Sequence, residues 1–134
     1  MENLFALLLD GTAIKELPSS INNLTGLFRL SMCNCTSLVC LPDDICNLAR
    51  LCYLCLTGCS SLVCLPDNIC NLTSLEFLNL TGCSSLVRLP DNICNLARLL
   101  YLDLTGCSNL SKLPEYFGNL KSLRQFKVER SGYL

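Results

Sequence analysis

The sequence contains no histidine. Serine and cysteine nucleophiles usually depend on a histidine base, and many zinc sites use histidine as a ligand. A Ser-His-Asp triad, a Cys-His pair and any histidine-containing zinc site are therefore excluded. The sequence also lacks a phosphate-binding loop and a dinucleotide-binding motif. We predict that the chain is not an enzyme and that it needs no cofactor.

Charged residues make up only 16% of the chain, and the formal net charge is −1. No block of lysine or arginine residues is present. DNA, RNA and anionic membrane surfaces are bound mainly through positive charge. None of these three is therefore an expected partner.

Long hydrophobic segments are also missing. The longest apolar run, LFALLL at residues 4–9, is much shorter than the roughly 20 residues that a membrane-spanning helix needs. The first residues, MENLF, lack the basic region and the cleavage site of a signal peptide. We therefore predict no membrane association and a reducing, cytoplasmic location.

Cysteine, in contrast, is abundant, with 12 residues in a chain of 134. In a reducing compartment a buried thiol behaves as a small hydrophobic group. The motif CYLC at residues 52–55 has a spacing found in zinc sites, but residues three apart on a strand point to opposite faces. No second motif of this kind supplies further ligands. Neither a metal site nor a disulfide framework is predicted.

The sequence repeats itself at a constant interval. Near copies follow one another, as a comparison of residues 65–88 with residues 89–112 shows. Because one short unit cannot bury its own leucines, the copies are expected to stack and share one continuous core. Leu-Pro dipeptides mark the 24-residue period, with prolines at Pro18, Pro42, Pro66, Pro90 and Pro114.

Each unit has two halves with different hydrophobic periods. One half reads L-x-x-L-x-L-x-x-C-x-x-L, and its central L-x-L alternation predicts a short strand with one buried face. The other half reads L-P-x-x-I-x-x-L, and its three-residue spacing predicts a helical or 3₁₀ turn that begins at proline. Six strand segments can be counted between residues 4 and 134.

This pattern resembles the leucine-rich repeat over essentially the whole chain. The predicted fold class is α/β: a leucine-rich repeat solenoid in which residues 1–134 form a single domain. The resemblance implies a right-handed arc, with about six short parallel strands on the concave face and helical or 3₁₀ turns on the convex face. The first and last repeats are incomplete and carry no polar caps, so the isolated chain is expected to self-associate through its ends.

Three residue columns recur once per unit and have predicted structural roles. The cysteine after each strand should point inward and bond to loop backbone, and the glycine before it should adopt a positive φ. Cysteines one unit apart have parallel Cα–Cβ bonds, so they do not converge on disulfide geometry. An asparagine column is expected to form an interior ladder of amide hydrogen bonds. The cysteine column is Cys35, Cys59, Cys83 and Cys107, the glycine column is Gly58, Gly82 and Gly106, and the asparagine column is Asn23, Asn47, Asn71, Asn95 and Asn119.

Outward-facing positions on the predicted sheet differ from copy to copy and are candidates for ligand binding. Tyr53, Phe77 and Tyr101 are expected to stand side by side as an apolar centre with polar residues around them. Aromatic neighbours of this kind also stabilise a sheet in the absence of any ligand. The predicted protein-binding residues on the concave face are Arg29, Tyr53, Phe77, Asn79, Tyr101, Asp103, Gln125 and Lys127.

The repeats contain phrases that resemble those of one receptor family. DGTAIKELPSSI at residues 10–21 and TGCSSLVCLPDNICNL at residues 57–72 look like the leucine-rich region of plant intracellular immune receptors of the TIR–nucleotide-binding class. The resemblance implies a recognition and regulatory module, cytoplasmic or nucleocytoplasmic, within a longer disease-resistance protein. Its implied protein partner is a pathogen effector, a guarded host protein or the receptor's own nucleotide-binding domain.

A second resemblance stays open beside the first. The phrase L-P-x-x-I-x-x-L-x-x-L is also similar to cytosolic scaffolds of the Ras-binding leucine-rich repeat group. Neither a TIR domain nor a nucleotide-binding domain lies within these residues, so signalling activity and ADP or ATP binding are not implied. The sequence alone does not identify the protein ligand.

Overall fold

The computed structural model describes residues 4–131 and contains the six predicted parallel strands. Each strand is three residues long, and neighbouring strands pair in chain order to form one open sheet. The predicted solenoid is therefore confirmed. The strands are β1 (Ala6–Leu8), β2 (Arg29–Ser31), β3 (Tyr53–Cys55), β4 (Phe77–Asn79), β5 (Tyr101–Asp103) and β6 (Gln125–Lys127).

The sheet has one buried face because the central residue of each strand points into the solenoid. Leu54 pairs with Leu78 and Leu78 pairs with Leu102, and all three side chains are fully buried. Residues on either side of them point to the opposite, exposed face, since side chains alternate along a strand. That exposed face is called the concave face below.

Short 3₁₀ turns form the opposite side of the coils, as predicted. In the turn at Asp43–Asn47, Pro42 precedes the first residue and its carbonyl oxygen accepts a hydrogen bond from the backbone N–H of Ile45 at 3.1 Å. The missing N–H of proline removes no bond at such a position. The five turns span Ser19–Asn23, Asp43–Asn47, Ile69–Asn71, Asp91–Asn95 and Phe117–Asn119.

The prediction of an interior asparagine ladder is wrong. The asparagine that ends each 3₁₀ turn is exposed, whereas the leucine after it is buried in every turn but the first. A 3₁₀ turn has three residues per turn, so Ile69 and Leu72 lie one above the other and both face the core. Asn71, directly before Leu72, therefore points to solvent.

The column cysteines, defined as Cys35, Cys59, Cys83 and Cys107, are fully buried, as predicted. Each thiol donates to a backbone carbonyl oxygen in the preceding coil. The distances are 2.9 Å from Cys59 Sγ to Met32 O and 3.2 Å from Cys83 Sγ to Leu56 O. Ser131 takes the same place in the last coil and donates to Leu104 O. The column therefore links consecutive coils through loop backbone.

The turn glycines also match their prediction. Gly58, Gly82 and Gly106 have φ values of +77°, +75° and +78°, in the left-handed region that favours glycine. Asn34 and Arg130 occupy the equivalent position of other coils and also have positive φ, at 60° in each case. This turn therefore imposes the same backbone conformation on every coil that the structure describes.

Leucine side chains from successive coils form one continuous buried cluster that runs from Leu17 to Leu120. The column cysteines belong to this cluster and fill space between the leucines. Within residues 4–131, no helix has the length and apolar character that crossing a bilayer requires.

Candidate functional site

A row of stacked aromatic rings runs across the concave face. The strand register places Tyr53 beside Phe77 and Phe77 beside Tyr101. The ring centroids are 3.9 Å and 4.5 Å apart, and the rings are parallel within 3° and 4°. Because parallel strands lie about 4.8 Å apart, identical positions on neighbouring strands bring rings into face-to-face contact. The sequence prediction that these three residues stand side by side is therefore met by the geometry.

A cationic side chain lies over each end of this row. The guanidinium carbon of Arg29 is 4.5 Å from the Tyr53 ring centroid, and Lys127 Nζ is 5.8 Å from the Tyr101 centroid. Both distances lie within the range of cation–π attraction. We call Arg29, Tyr53, Phe77, Tyr101 and Lys127 the aromatic row. It offers an apolar strip with a positive charge at each end.

An open groove of about 520 Å³ follows one side of the aromatic row. Its lining adds residues that come directly before the strands, which the sequence analysis did not consider. Their backbone N–H groups already bond to the neighbouring coil, as in Cys52 N to Phe28 O at 2.9 Å. The sequence does hold a signal for these groove residues, because the residue directly before each of β2 to β5 recurs with the same 24-residue period. The added residues are Phe28, Cys52, Glu76 and Leu100, and Gln125 closes one end.

Asp103 is more enclosed than the sequence analysis expected, with only 7% of its surface exposed. Its carboxylate accepts hydrogen bonds from Tyr101 Oη and from the backbone N–H of Thr105, both at 2.9 Å. Burial alone would raise the pKa of this carboxyl, but hydrogen bonds from Thr105, Tyr101 and Thr81 hold it below its ordinary value. Asp103 is therefore a fixed anion that positions the ring of Tyr101.

The hydroxyl of Tyr101 responds to the same contact. Burial, the hydrogen bond to Asp103 and the charge of that carboxylate together raise the pKa of Tyr101 to about 12. Tyr101 therefore stays protonated and donates to Asp103 throughout the neutral range. This bond holds one ring of the aromatic row in a single orientation.

The remaining predicted residues differ in their exposure. Asn79 is half-buried, and its Oδ1 accepts hydrogen bonds from the backbone N–H and the hydroxyl of Thr81, at 2.9 Å and 2.6 Å. It therefore organises the loop after β4 more than it presents a free amide. Arg29, Gln125 and Lys127 are exposed. Among residues 4–131, no group of three or more cysteine, aspartate or glutamate side chains is arranged to hold a metal ion.

Comparison with known proteins gives one family match. A family model described as a leucine-rich repeat region matches residues 40–132. No curated protein matches the chain. Among solved structures, the leucine-rich repeat domain of the type III effector XopL is 34% identical, with a TM-score of 0.74. The alignment covers 87% of this chain and 39% of that chain, so the present chain spans about two fifths of its length.

Two further solved structures share the fold at lower identity. The ectodomain of the receptor kinase SOBIR1 from Arabidopsis thaliana is 23% identical with a TM-score of 0.66, over 93% of this chain and 69% of that chain. Internalin C2 from Listeria monocytogenes is 20% identical with a TM-score of 0.64, over 94% of this chain and 62% of that chain. These two likenesses show the solenoid architecture alone.

Proposed function

The chain belongs to the leucine-rich repeat family, and from that premise we propose that it is a protein-binding module that works through its concave face. Domains of this family are generally protein-interaction modules. The residues that repeat in every coil lie in the core and in the turns, where they have structural roles. The residues that vary between coils are the ones that remain available to a partner.

The aromatic row is the observation that carries this proposal. The three half-buried rings are stacked face to face with nearly parallel planes, and a cationic side chain lies over each end of the stack. Aromatic and arginine side chains dominate binding energy at protein interfaces, because they bury a large area and lose little conformational entropy. The groove beside the row adds apolar surface with a polar side chain at its edge, which matches the anatomy of an interface.

The finer part of the proposal concerns the biological setting. The phrases at residues 10–21 and 57–72 support a role in an intracellular plant immune receptor of the TIR–nucleotide-binding class. In that role the concave face contacts a pathogen effector, a guarded host protein or the receptor's own nucleotide-binding domain. The function is recognition and regulation, and the site requires no cofactor.

Binding to two purified proteins separates this role from the Ras-binding alternative. The probes are the nucleotide-binding domain of a plant TIR-type receptor and a small GTPase loaded with a GTP analogue. Binding to the first probe supports the proposed role. Binding to the GTPase alone would instead favour the scaffold resemblance of the L-P-x-x-I turns.

A triple variant tests whether the aromatic row carries the binding. Y53A/F77A/Y101A is expected to weaken binding of the nucleotide-binding domain at least tenfold in calorimetric titration, because it removes the buried anchors of the interface. The matched control is V39A/V63A/V87A, which removes three exposed apolar side chains that lie outside the sheet. Equal affinity of the triple variant and the control, with both folded by circular dichroism, would contradict the proposal.

A further inference from the structure

Two thiols on the concave face are in direct contact. The sulfur atoms of Cys33 and Cys55 are 3.0 Å apart. Cys55 ends β3, whereas Cys33 lies two residues beyond the end of β2, so the two side chains approach each other diagonally. The two cysteines are 22 residues apart along the chain, whereas the repeat period is 24 residues. The period alone therefore does not place them side by side.

This pair differs from the column cysteines in its surroundings. Both residues are half-buried, whereas the column cysteines are fully buried. Apart from each other, their sulfur atoms form hydrogen bonds with hydroxyl groups, Ser31 Oγ at 3.5 Å from Cys33 and Thr57 Oγ1 at 3.3 Å from Cys55. Neither sulfur is committed to a loop carbonyl. Both are therefore free to react without breaking a bond that joins two coils.

We propose that Cys33 and Cys55 form an oxidisable dithiol site that closes to a disulfide by exchange with a low-molecular-weight disulfide such as oxidised glutathione. One thiolate attacks a sulfur of the oxidant and releases one glutathione thiolate, which leaves a mixed disulfide on the protein. The second thiolate then attacks the protein sulfur of that mixed disulfide, forms the Cys33–Cys55 bond and releases the second glutathione. Two electrons pass to the oxidant, and the two thiol protons end on the released glutathione molecules.

The geometry favours closure at this pair over any other. Bond formation requires the two sulfur atoms to approach from 3.0 Å to about 2.05 Å, a movement of about 1 Å. Among residues 4–131, no other two cysteine side chains form a hydrogen bond with each other. A metal is the weaker alternative, since the described residues place no third ligand beside these two sulfurs.

Exchange at this site should accelerate with pH, because the thiolate is the attacking species. Burial raises the pKa of the Cys33 thiol, and the neighbouring Cys55 and the carboxylate of Asp10 raise it further, while a hydrogen bond with Ser31 lowers it. A larger fraction of Cys33 is therefore ionised at pH 9 than at pH 7. The neutral-pH reaction is slower but leads to the same product.

The test incubates the full chain with oxidised glutathione, blocks the remaining thiols with an alkylating reagent and maps the peptides by mass spectrometry. The expected product has lost two hydrogen atoms, carries one Cys33–Cys55 link and returns to the dithiol with dithiothreitol. C33S and C55S are expected to stop at a glutathione adduct on the surviving cysteine. The control C40S/C64S, which removes two exposed cysteines, should close as the wild type does.

Three outcomes would overturn the proposal. The first is a wild-type peptide map in which the linked cysteines are any pair other than Cys33 and Cys55. The second is a wild type that accumulates only glutathione adducts. The third is equal disulfide formation in C33S/C55S and the wild type. The wild-type map decides the first two without any variant, so a folding defect in a variant does not leave the proposal open.

Discussion

At the scale of single residues, the column cysteines combine two roles that usually fall to different side chains. Their sulfur atoms pack among leucines, and their S–H groups satisfy carbonyl oxygens of the preceding coil. Thr12 and Ser131 occupy the same position at the two ends and also donate to a carbonyl oxygen. The position therefore requires a small side chain that can donate a hydrogen bond. A thiol meets this requirement and is less polar than a hydroxyl group.

Replacing Cys83 by threonine or valine isolates the hydrogen-bonding role. The two substitutes have nearly the same volume, but only threonine can donate to Leu56 O as Cys83 does at 3.2 Å. C83T is expected to be more stable than C83V by about 1 kcal/mol, the typical net value of one buried hydrogen bond. Urea unfolding of both variants measures the difference, and a C83V variant as stable as C83T would show that packing alone matters here.

The buried thiols also make stability depend on pH above neutrality. Burial raises the pKa of Cys59 and of Cys107 from 9.0 to about 11, and it raises the pKa of Cys83 further. Below pH 9 these thiols are protonated in both states, so stability is at its full value. Between pH 9 and 11 the unfolded chain loses protons that the folded chain keeps, and unfolding becomes more favourable.

We therefore expect the urea midpoint to fall steadily from pH 9 to pH 10.5. Each such thiol contributes a loss of up to about 1.4 kcal/mol per pH unit. The C59T/C107T variant has two fewer ionisable groups in the core and should lose less stability over the same range. A wild-type midpoint that stays constant up to pH 10.5 would be incompatible with this account.

At the scale of the repeated element, the turn after each strand depends on a left-handed residue. Gly106 has a φ of +78°, and a Cβ at this position would lie 3.3 Å from the backbone nitrogen of Gly82. Arg130 has the same backbone conformation in the next coil without being glycine. A side chain in this region costs about 1–2 kcal/mol. The turn geometry is therefore set by the stacking of coils, and the residue type decides its cost.

Opposite substitutions at these two positions test that conclusion. G106A is expected to lower the free energy of unfolding by about 1–2 kcal/mol, because it adds a side chain to a left-handed residue that packs against the turn of the preceding coil. R130G is expected to raise it by about 0.5 kcal/mol, since the relief of strain exceeds the added chain entropy of glycine. Thermal unfolding of both variants under the same conditions shows whether each substitution stabilises or destabilises the fold. A stabilising G106A would refute the argument.

The repeat period explains which elements could be predicted from the sequence. It fixes which residues are neighbours one coil apart, so the strands at Tyr53, Phe77 and Tyr101 and their ring stack followed directly. The period does not determine the conformation of a side chain or the partner with which it forms a hydrogen bond. The inward bonds of Asp103 and the diagonal approach of Cys33 to Cys55 depend on side-chain conformation, which the spacing does not encode. The outward direction of Asn71, in contrast, follows from the three-residue spacing of the 3₁₀ turn and could have been predicted.

At the scale of the whole molecule, the stacked coils divide the chain into a constant interior and a variable concave face. The three rings of the aromatic row lie on β3, β4 and β5, and its two cationic side chains lie on β2 and β6. The end coils are less enclosed: Phe5 is 61% exposed and Phe126 is 37% exposed. A groove of about 410 Å³ lined by Leu7, Leu9 and Ile14 opens at the first coil. The end coils therefore expose apolar surface of a kind that neighbouring coils cover in the middle of the solenoid.

Residue-resolved alkylation of the twelve thiols in the native, reduced chain tests the stacked-coil account most directly. The account predicts that the exposed Cys40 and Cys64 react first. The four column cysteines should react together and only at the rate of global unfolding, because one shared core encloses them all. Rapid alkylation of Cys59 or Cys83 in the native chain, at a rate close to that of Cys40, would contradict the account.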